Sequence, residues 1–234
     1  MKSKIAIFYL FLLVITASCS KSINYSPEFM AETSGKYLYN HDDIIEIFYE
    51  NEKLFLKWRG AEKIAPICIN ETTFFIADMY KKLQFVTHPE TKKRYLSILK
   101  EGEEQAVSYD FLKVKDTYKT PSMYLKDKQY DKALVGFLEI QKQDSTSVYI
   151  SERDFNRMGY EFLRKKKYTD AIEVFKLNIE LHPESDNAYD SLGAAYSISG
   201  DSLQAYNNYK KALEFNNRNG RAKKYVESYK KKVN

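Results

Sequence analysis

The chain has 234 residues, with 37 lysines and arginines against 32 aspartates and glutamates, for a net charge of +5 at pH 7. So small a positive excess argues against a nucleic-acid surface. Its two cysteines exclude a disulfide-rich scaffold, and its length suits two small domains.

The first nineteen residues have the layout of an export signal. Lys2 and Lys4 give a charged start, Ile5–Ile15 an apolar core too short for a stable bilayer span, and Thr16-Ala17-Ser18 a short-side-chain stretch ahead of Cys19. This resembles a lipoprotein signal peptide. The resemblance implies that Cys19 is lipidated and heads the mature chain, which would sit in the cell envelope at the periplasmic face of a Gram-negative outer membrane. Where such signals usually carry an aliphatic residue, three before the cysteine, this chain has Thr16, with Ile15 one place earlier. Ordinary secretory cleavage near Ala17 is the alternative. Residues 20–26 read as a tether. Cys68, inside Ile67-Cys68-Ile69, is expected to be a buried small hydrophobe.

Residues 27–114 alternate apolar and polar with period two. Strands are expected at 35–39, 44–49, 53–58, 63–69, 73–77, 82–87, 94–100 and 106–114, with Glu50-Asn51-Glu52, Gly60, Asn70-Glu71, Pro89 and Gly102 as breakers. About eight short antiparallel strands predict a small barrel or strongly curved sheet, with Phe29 and Met30 on a short helix plugging one end. The Phe29, Gly35, Tyr37 spacing, the run KLFLKW, the strand TTFF and Leu83-Gln84-Phe85 resemble a β-rich domain that follows the catalytic domain in β-lactamase-family serine hydrolases. The catalytic domain itself is missing, so no hydrolase activity carries over.

Residues 155–217 hold a repeat. Gly159 and Gly193 occupy the same position of two copies 34 residues apart. Phe155 aligns with Tyr189, Met158 with Leu192, Phe162 with Tyr196, Ala171 with Ala205 and Phe175 with Tyr209. That spacing resembles the tetratricopeptide signature. It implies antiparallel helix pairs over 153–165 with 168–181, and 187–199 with 202–215, the small residues standing where paired helices cross. Full repeats are expected over 152–185 and 186–219. A partial one covers 115–150, with a short first helix near Pro121–Lys128 and an extended insertion at Ser145–Ile150. A capping helix covers 220–234. The overall expectation is an α+β chain of two domains: a β-barrel-like one, then a helical array.

Catalytic motifs are wanting. Ser97–Lys100 and Ser228–Lys231 match S-x-x-K without a following K-T-G, and His41, His88 and His182 are scattered. Asp42-Asp43 reads as a turn signal. No metal or cofactor is expected. The Arg164–Lys167 cluster reads as a solvated turn. The tetratricopeptide resemblance implies a concave face lined by first-helix positions, here Asn156, Tyr160, Leu163, Arg164, Asn187, Asp190, Ala194 and Ser197. Tyr160 and Ala194 stand where chaperone-binding members carry the asparagine of a carboxylate clamp, so the groove reads as mixed and aromatic. The function implied is non-catalytic binding of a protein or peptide partner, with membrane attachment through a lipid. The alternatives are a small-ligand carrier using the β-domain interior and an accessory subunit of a separate envelope hydrolase.

Overall fold

A computed structural model describes residues 23–102 and 106–233. The signal peptide, Cys19 and the first part of the tether lie outside the described residues. The β-domain is one antiparallel sheet of nine strands: β1 Gly35–Tyr39, β2 Asp43–Glu50, β3 Lys53–Trp58, β4 Ala61–Ile64, β5 Ile67–Cys68, β6 Thr73–Ile76, β7 Lys81–Thr87, β8 Arg94–Leu99 and β9 Phe111–Val114. Their order across the sheet is β4-β3-β2-β1-β9-β8-β7-β6-β5. Turn chemistry sets the tight hairpins. Asn51 and Glu52 both take positive φ, as a two-residue turn matched to strand twist requires, and Arg59-Gly60 repeats the device between β3 and β4.

The two edge strands are consecutive in sequence. Only Ala65-Pro66 separates β4 from β5, so Ile64 and Ile67 are at most about 11 Å apart. The sheet therefore curls until its edges meet, and it closes through the chain rather than through hydrogen bonds. The expected single strand at 63–69 is split here, because proline has no N–H to donate to a ladder. The expected strand at 106–114 is shortened to β9. Upstream of β9, side chains do the pairing: Ile98 N donates to Asp110 Oδ2 at 2.7 Å and Ser108 N to Ser97 Oγ at 2.9 Å. Ser97 is thus a buried structural hydroxyl.

The sheet interior is filled by Tyr37, Ile45, Ile47, Trp58, Phe74 and Phe111, all essentially inaccessible. That packing leaves no room for the carrier reading in the β-domain interior. Helix α1, Pro27–Thr33, capped by Ser26 Oγ, covers one end as expected. The Phe29 ring meets Phe85 edge-on at 5.7 Å, Tyr37 lies 6.1 Å from the same ring, and Tyr37 Oη donates to Thr33 O at 2.9 Å. Cys68 is only half-buried, at the rim of this core, rather than enclosed. Asp42-Asp43 does more than turn the chain. Asp43 is buried, accepting from Trp58 Nε1 at 2.7 Å and pairing with Arg59, while Asp42 reaches the second domain.

That second domain is helical: α2 Pro121–Lys126, α3 Tyr130–Gln143, α4 Glu152–Arg164, α5 Tyr168–Leu181, α6 Asp186–Ser199, α7 Ser202–Phe215 and α8 Gly220–Val233. Pairs α2/α3, α4/α5 and α6/α7 are joined by the same turn. Lys128, Lys166 and Gly200 each take positive φ at its bend, and each turn ties two amides back onto the first helix's last carbonyls. These three bends lie 38 and then 34 residues apart, which places the partial repeat in register with the full ones. The insertion at 145–150 is not extended. It ends in a 3₁₀ turn over Val148–Ile150, because Ile150 is drawn into the core beside Phe137 and Phe155. The helix crossings follow the small residues. Ala171 and Ala205 are fully buried, and a Cβ on Gly159 would lie 2.4 Å from the Phe175 ring.

Candidate partner-binding face

Helix α4 touches α6, and α6 touches α8, so the first helices of successive units form one layer with α5 and α7 behind it. A continuous polar network runs along that layer. Asn187 Nδ2 donates to Glu152 Oε1 at 2.9 Å, bridging α6 to α4. Tyr160 Oη donates to Ser191 Oγ at 3.3 Å and accepts from Arg221 Nη2 at 3.0 Å, joining α4, α6 and α8. Arg221 also grips the buried Asp190 carboxylate, through Nε at 3.1 Å and through Nη2. Deeper, Asn178 Nδ2 donates to Asn156 Oδ1 at 3.2 Å.

The eight expected positions separate by exposure. Arg164 and Asn187 are exposed, and Tyr160 and Ser197 are half-buried. Asn156, Leu163, Asp190 and Ala194 are buried. Leu163 packs with Ala171, Phe175 and Leu192, and Ala194 with Tyr209, so both belong to the core rather than to an open groove. The reason is the contact between neighbouring first helices, which hides the flank each turns to the next. Tyr160, expected to face away from the second helix of its repeat, instead sets its ring 5.3 Å from Phe175 on that helix, leaving its hydroxyl to the network. Arg221 escaped the sequence reading. Its signal was present: it stands 34 residues after Asn187, at the same position of the next unit.

A cleft between the domains also escaped it, because no single stretch encodes it. About 520 Å³ lies between the β1–β2 turn and helices α2 and α3, against Leu38, His41, Tyr118, Tyr124, Val135 and Ile140. The joint beside it is polar. Ser122 N donates to Asp42 Oδ1 at 2.9 Å and Ser122 Oγ to Oδ2, while Lys36 Nζ donates to Asp116 O at 2.6 Å. Burial pushes the Asp42 pKa up, opposed by the hydrogen bonds from Ser122 and Thr120. Among the described residues no group of three or more His, Cys, Asp or Glu side chains is gathered to hold a metal.

Built from helix pairs at a 34-residue spacing with small residues at each crossing, the helical half is a tetratricopeptide array. No family model matches the chain. Over 96 residues it is 31% identical to heat shock protein STI1 of Saccharomyces cerevisiae, a match covering 41% of this chain and 16% of that protein. The chain thus aligns to under a fifth of that relative's length. Similar solved structures include the first TPR of Spaghetti (RPAP3) bound to an HSP90 peptide, at 20% identity and a TM-score of 0.34 over 48% of this chain and 86% of that one. The Arabidopsis OM64 TPR domain has 19% identity and a TM-score of 0.34, covering 48% and 89%. The Sgt2 TPR domain of Aspergillus fumigatus has 19% identity and a TM-score of 0.34, covering 48% and 74%.

Proposed function

We propose that the protein is an envelope lipoprotein, acylated at Cys19, that binds a protein or peptide partner without catalysis through the α4–α6–α8 layer. The observation that carries the reading is the network from Glu152 and Asn187 to Tyr160, Ser191, Asp190 and Arg221. It holds side chains of three helices in fixed positions on one face before any partner arrives, which lowers the ordering cost of binding. Peptide backbone is rich in N–H and C=O groups, and the exposed Asn187 amide and half-exposed Arg221 guanidinium suit them. The apolar core of residues 5–15 followed by Cys19 supports export and anchoring.

The test is quantitative capture from an envelope extract, comparing wild type with Asn187→Arg on the face and Lys53→Ser on the β-domain. A partner retained by Lys53→Ser and lost by Asn187→Arg supports the reading. A partner indifferent to Asn187→Arg and lost by Lys53→Ser overturns it. Mass spectrometry of the protein from membranes reads the acylation of Cys19 directly. A second reading rests on the interdomain cleft, whose size and mostly apolar wall fit a small ligand. It moves the carrier idea from the filled sheet interior to the joint, and ligand protection lost on Val135→Arg would support it.

A further inference from the structure

The outer surface of β5 and β6 is unusually apolar for an edge. Ile67 and Ile69 flank the inward-facing Cys68 and are 59% and 51% exposed. Ile67 pairs with Phe75 across to β6, and the Phe75 ring meets Tyr80 edge-on at 5.6 Å. Tyr80 is itself 78% exposed. Four large side chains therefore form one patch on the last strands of the sheet, where an unpaired edge is ordinarily blunted by charge. A depression beside the patch is lined by Phe75 and Tyr80 together with Lys81, Lys82, Lys100 and Glu101. Counting Glu71 in the β5–β6 turn, three ammonium groups stand against two carboxylates on this side.

The same edge is where the described chain begins. Ile23 packs on the sheet core, and the Tyr25 hydroxyl is hydrogen-bonded with Cys68, between the two exposed isoleucines. Cys19 is four residues ahead of Ile23, at most about 14 Å of extended chain. A lipid on Cys19 would thus hold the β5–β6 edge within one short tether of the headgroups. Exposed isoleucines, an interfacial tyrosine and flanking lysines are the side chains that such a boundary favours. A second copy pairing edge to edge would use the same isoleucines but would gain nothing from the lysines.

We propose that the β5–β6 face, through Ile67, Ile69, Phe75, Tyr80, Lys81 and Lys100, docks the protein flat onto an anionic lipid surface beside its own anchor. This rests on the acylation of Cys19 proposed above. Docking fixes the orientation of the sheet at the membrane and adds the second attachment that a short acyl anchor needs for stable residence.

The test uses the unacylated chain from Ser20 to Asn234, which contains every described residue, with vesicles of phosphatidylethanolamine and phosphatidylglycerol or of phosphatidylcholine alone. The wild type is expected to co-sediment with the anionic vesicles and far less with the neutral ones. Lys81→Glu with Lys100→Glu should lower the bound fraction by roughly fivefold or more for each charge changed. Ile67→Ser with Ile69→Ser should lower it comparably, with melting curves unchanged. Absence of vesicle binding, or binding that neither pair alters, overturns the proposal. Concentration-dependent self-association abolished by the isoleucine pair, without vesicle binding, overturns it in favour of a second copy. The two readings fail separately, because the mass at Cys19 decides the anchor and the vesicle series decides the face.

Discussion

Arg221, on the last helix, clasps the carboxylate of Asp190, two helices earlier, through both Nε and Nη2. The Asp190 side chain is 7% exposed and that of Arg221 48%. The pair fastens α8 to the array and also orients Tyr160, since the same guanidinium donates to its hydroxyl. Removing one partner of a buried charge costs more than the pair contributes, because the other charge is left without a counterion.

Arg221→Ala is therefore expected to destabilise the array by about 1–3 kcal/mol, the half-exposed arginine keeping the figure below that of a fully buried pair. Asp190→Ala should cost a similar amount, and the double variant clearly less than the sum. Urea midpoints of the four proteins give the coupling. Additive losses would show that the two side chains act independently.

The helix crossings give a graded prediction. On Gly159 a Cβ would lie 2.4 Å from Phe175, which is fully buried and cannot swing away, whereas on Gly193 it would lie 3.0 Å from Tyr209. Alanine recovers about 1 kcal/mol of helix propensity at either site. Gly193→Ala is expected to be close to neutral and Gly159→Ala to be destabilising by about 1–2 kcal/mol. Ala205→Leu, at a fully buried position, should cost roughly 1–3 kcal/mol. Equal midpoints for the two glycine variants would mean that the first crossing is looser than its geometry shows.

Much of this was legible in the sequence for a simple reason. A repeat states each structural requirement twice, so Gly159 with Gly193, and Ala171 with Ala205, fix the register of four helices. The hairpins were legible through Asn51 and Gly60. What stayed hidden depends on contacts between distant segments. No local pattern shows that β4 and β5 end on opposite edges of one sheet, that Asp42 bonds Ser122 across the domain joint, or that Tyr160 leans on Phe175. Half of the candidate face was misread for the same cause: a first-helix position can face solvent or the next first helix, and a single repeat cannot tell which.

Asp170 makes stability depend on pH in the acid range. It lies on α5 and is nearly buried, which by itself would raise its pKa. Hydrogen bonds from Lys128 Nζ at 2.6 Å and Tyr130 Oη at 2.8 Å, with the lysine charge, outweigh that and hold it below the ordinary carboxylate value. A folded-state pKa below the unfolded one means that the unfolded chain takes up the proton first. The contribution is complete above the unfolded value of about 3.9 and is lost as pH falls through the depressed folded value. Asp170→Asn should lower stability at neutral pH and flatten the decline below about pH 4. Urea midpoints across that range check this, and parallel curves would remove Asp170 from the acid response.

Tyr160 separates the face from the core. Its ring rests on Phe175, and its hydroxyl links Ser191 and Arg221. Truncation to alanine would strip both, so Tyr160→Ala is expected to lower the melting temperature by several degrees whatever the partner does, at about 2–4 °C per kcal/mol for a chain of this size. Tyr160→Phe keeps the ring and deletes only the hydroxyl. It is expected to cost about 1 kcal/mol, since Arg221 retains Asp190 and Ser191 is left unbonded only on that side. If the network presents the face to a partner, capture by Tyr160→Phe should weaken by more than that stability loss predicts, because Arg221 is then free to turn. Full capture by a Tyr160→Phe protein that melts near wild type would place recognition elsewhere on the array.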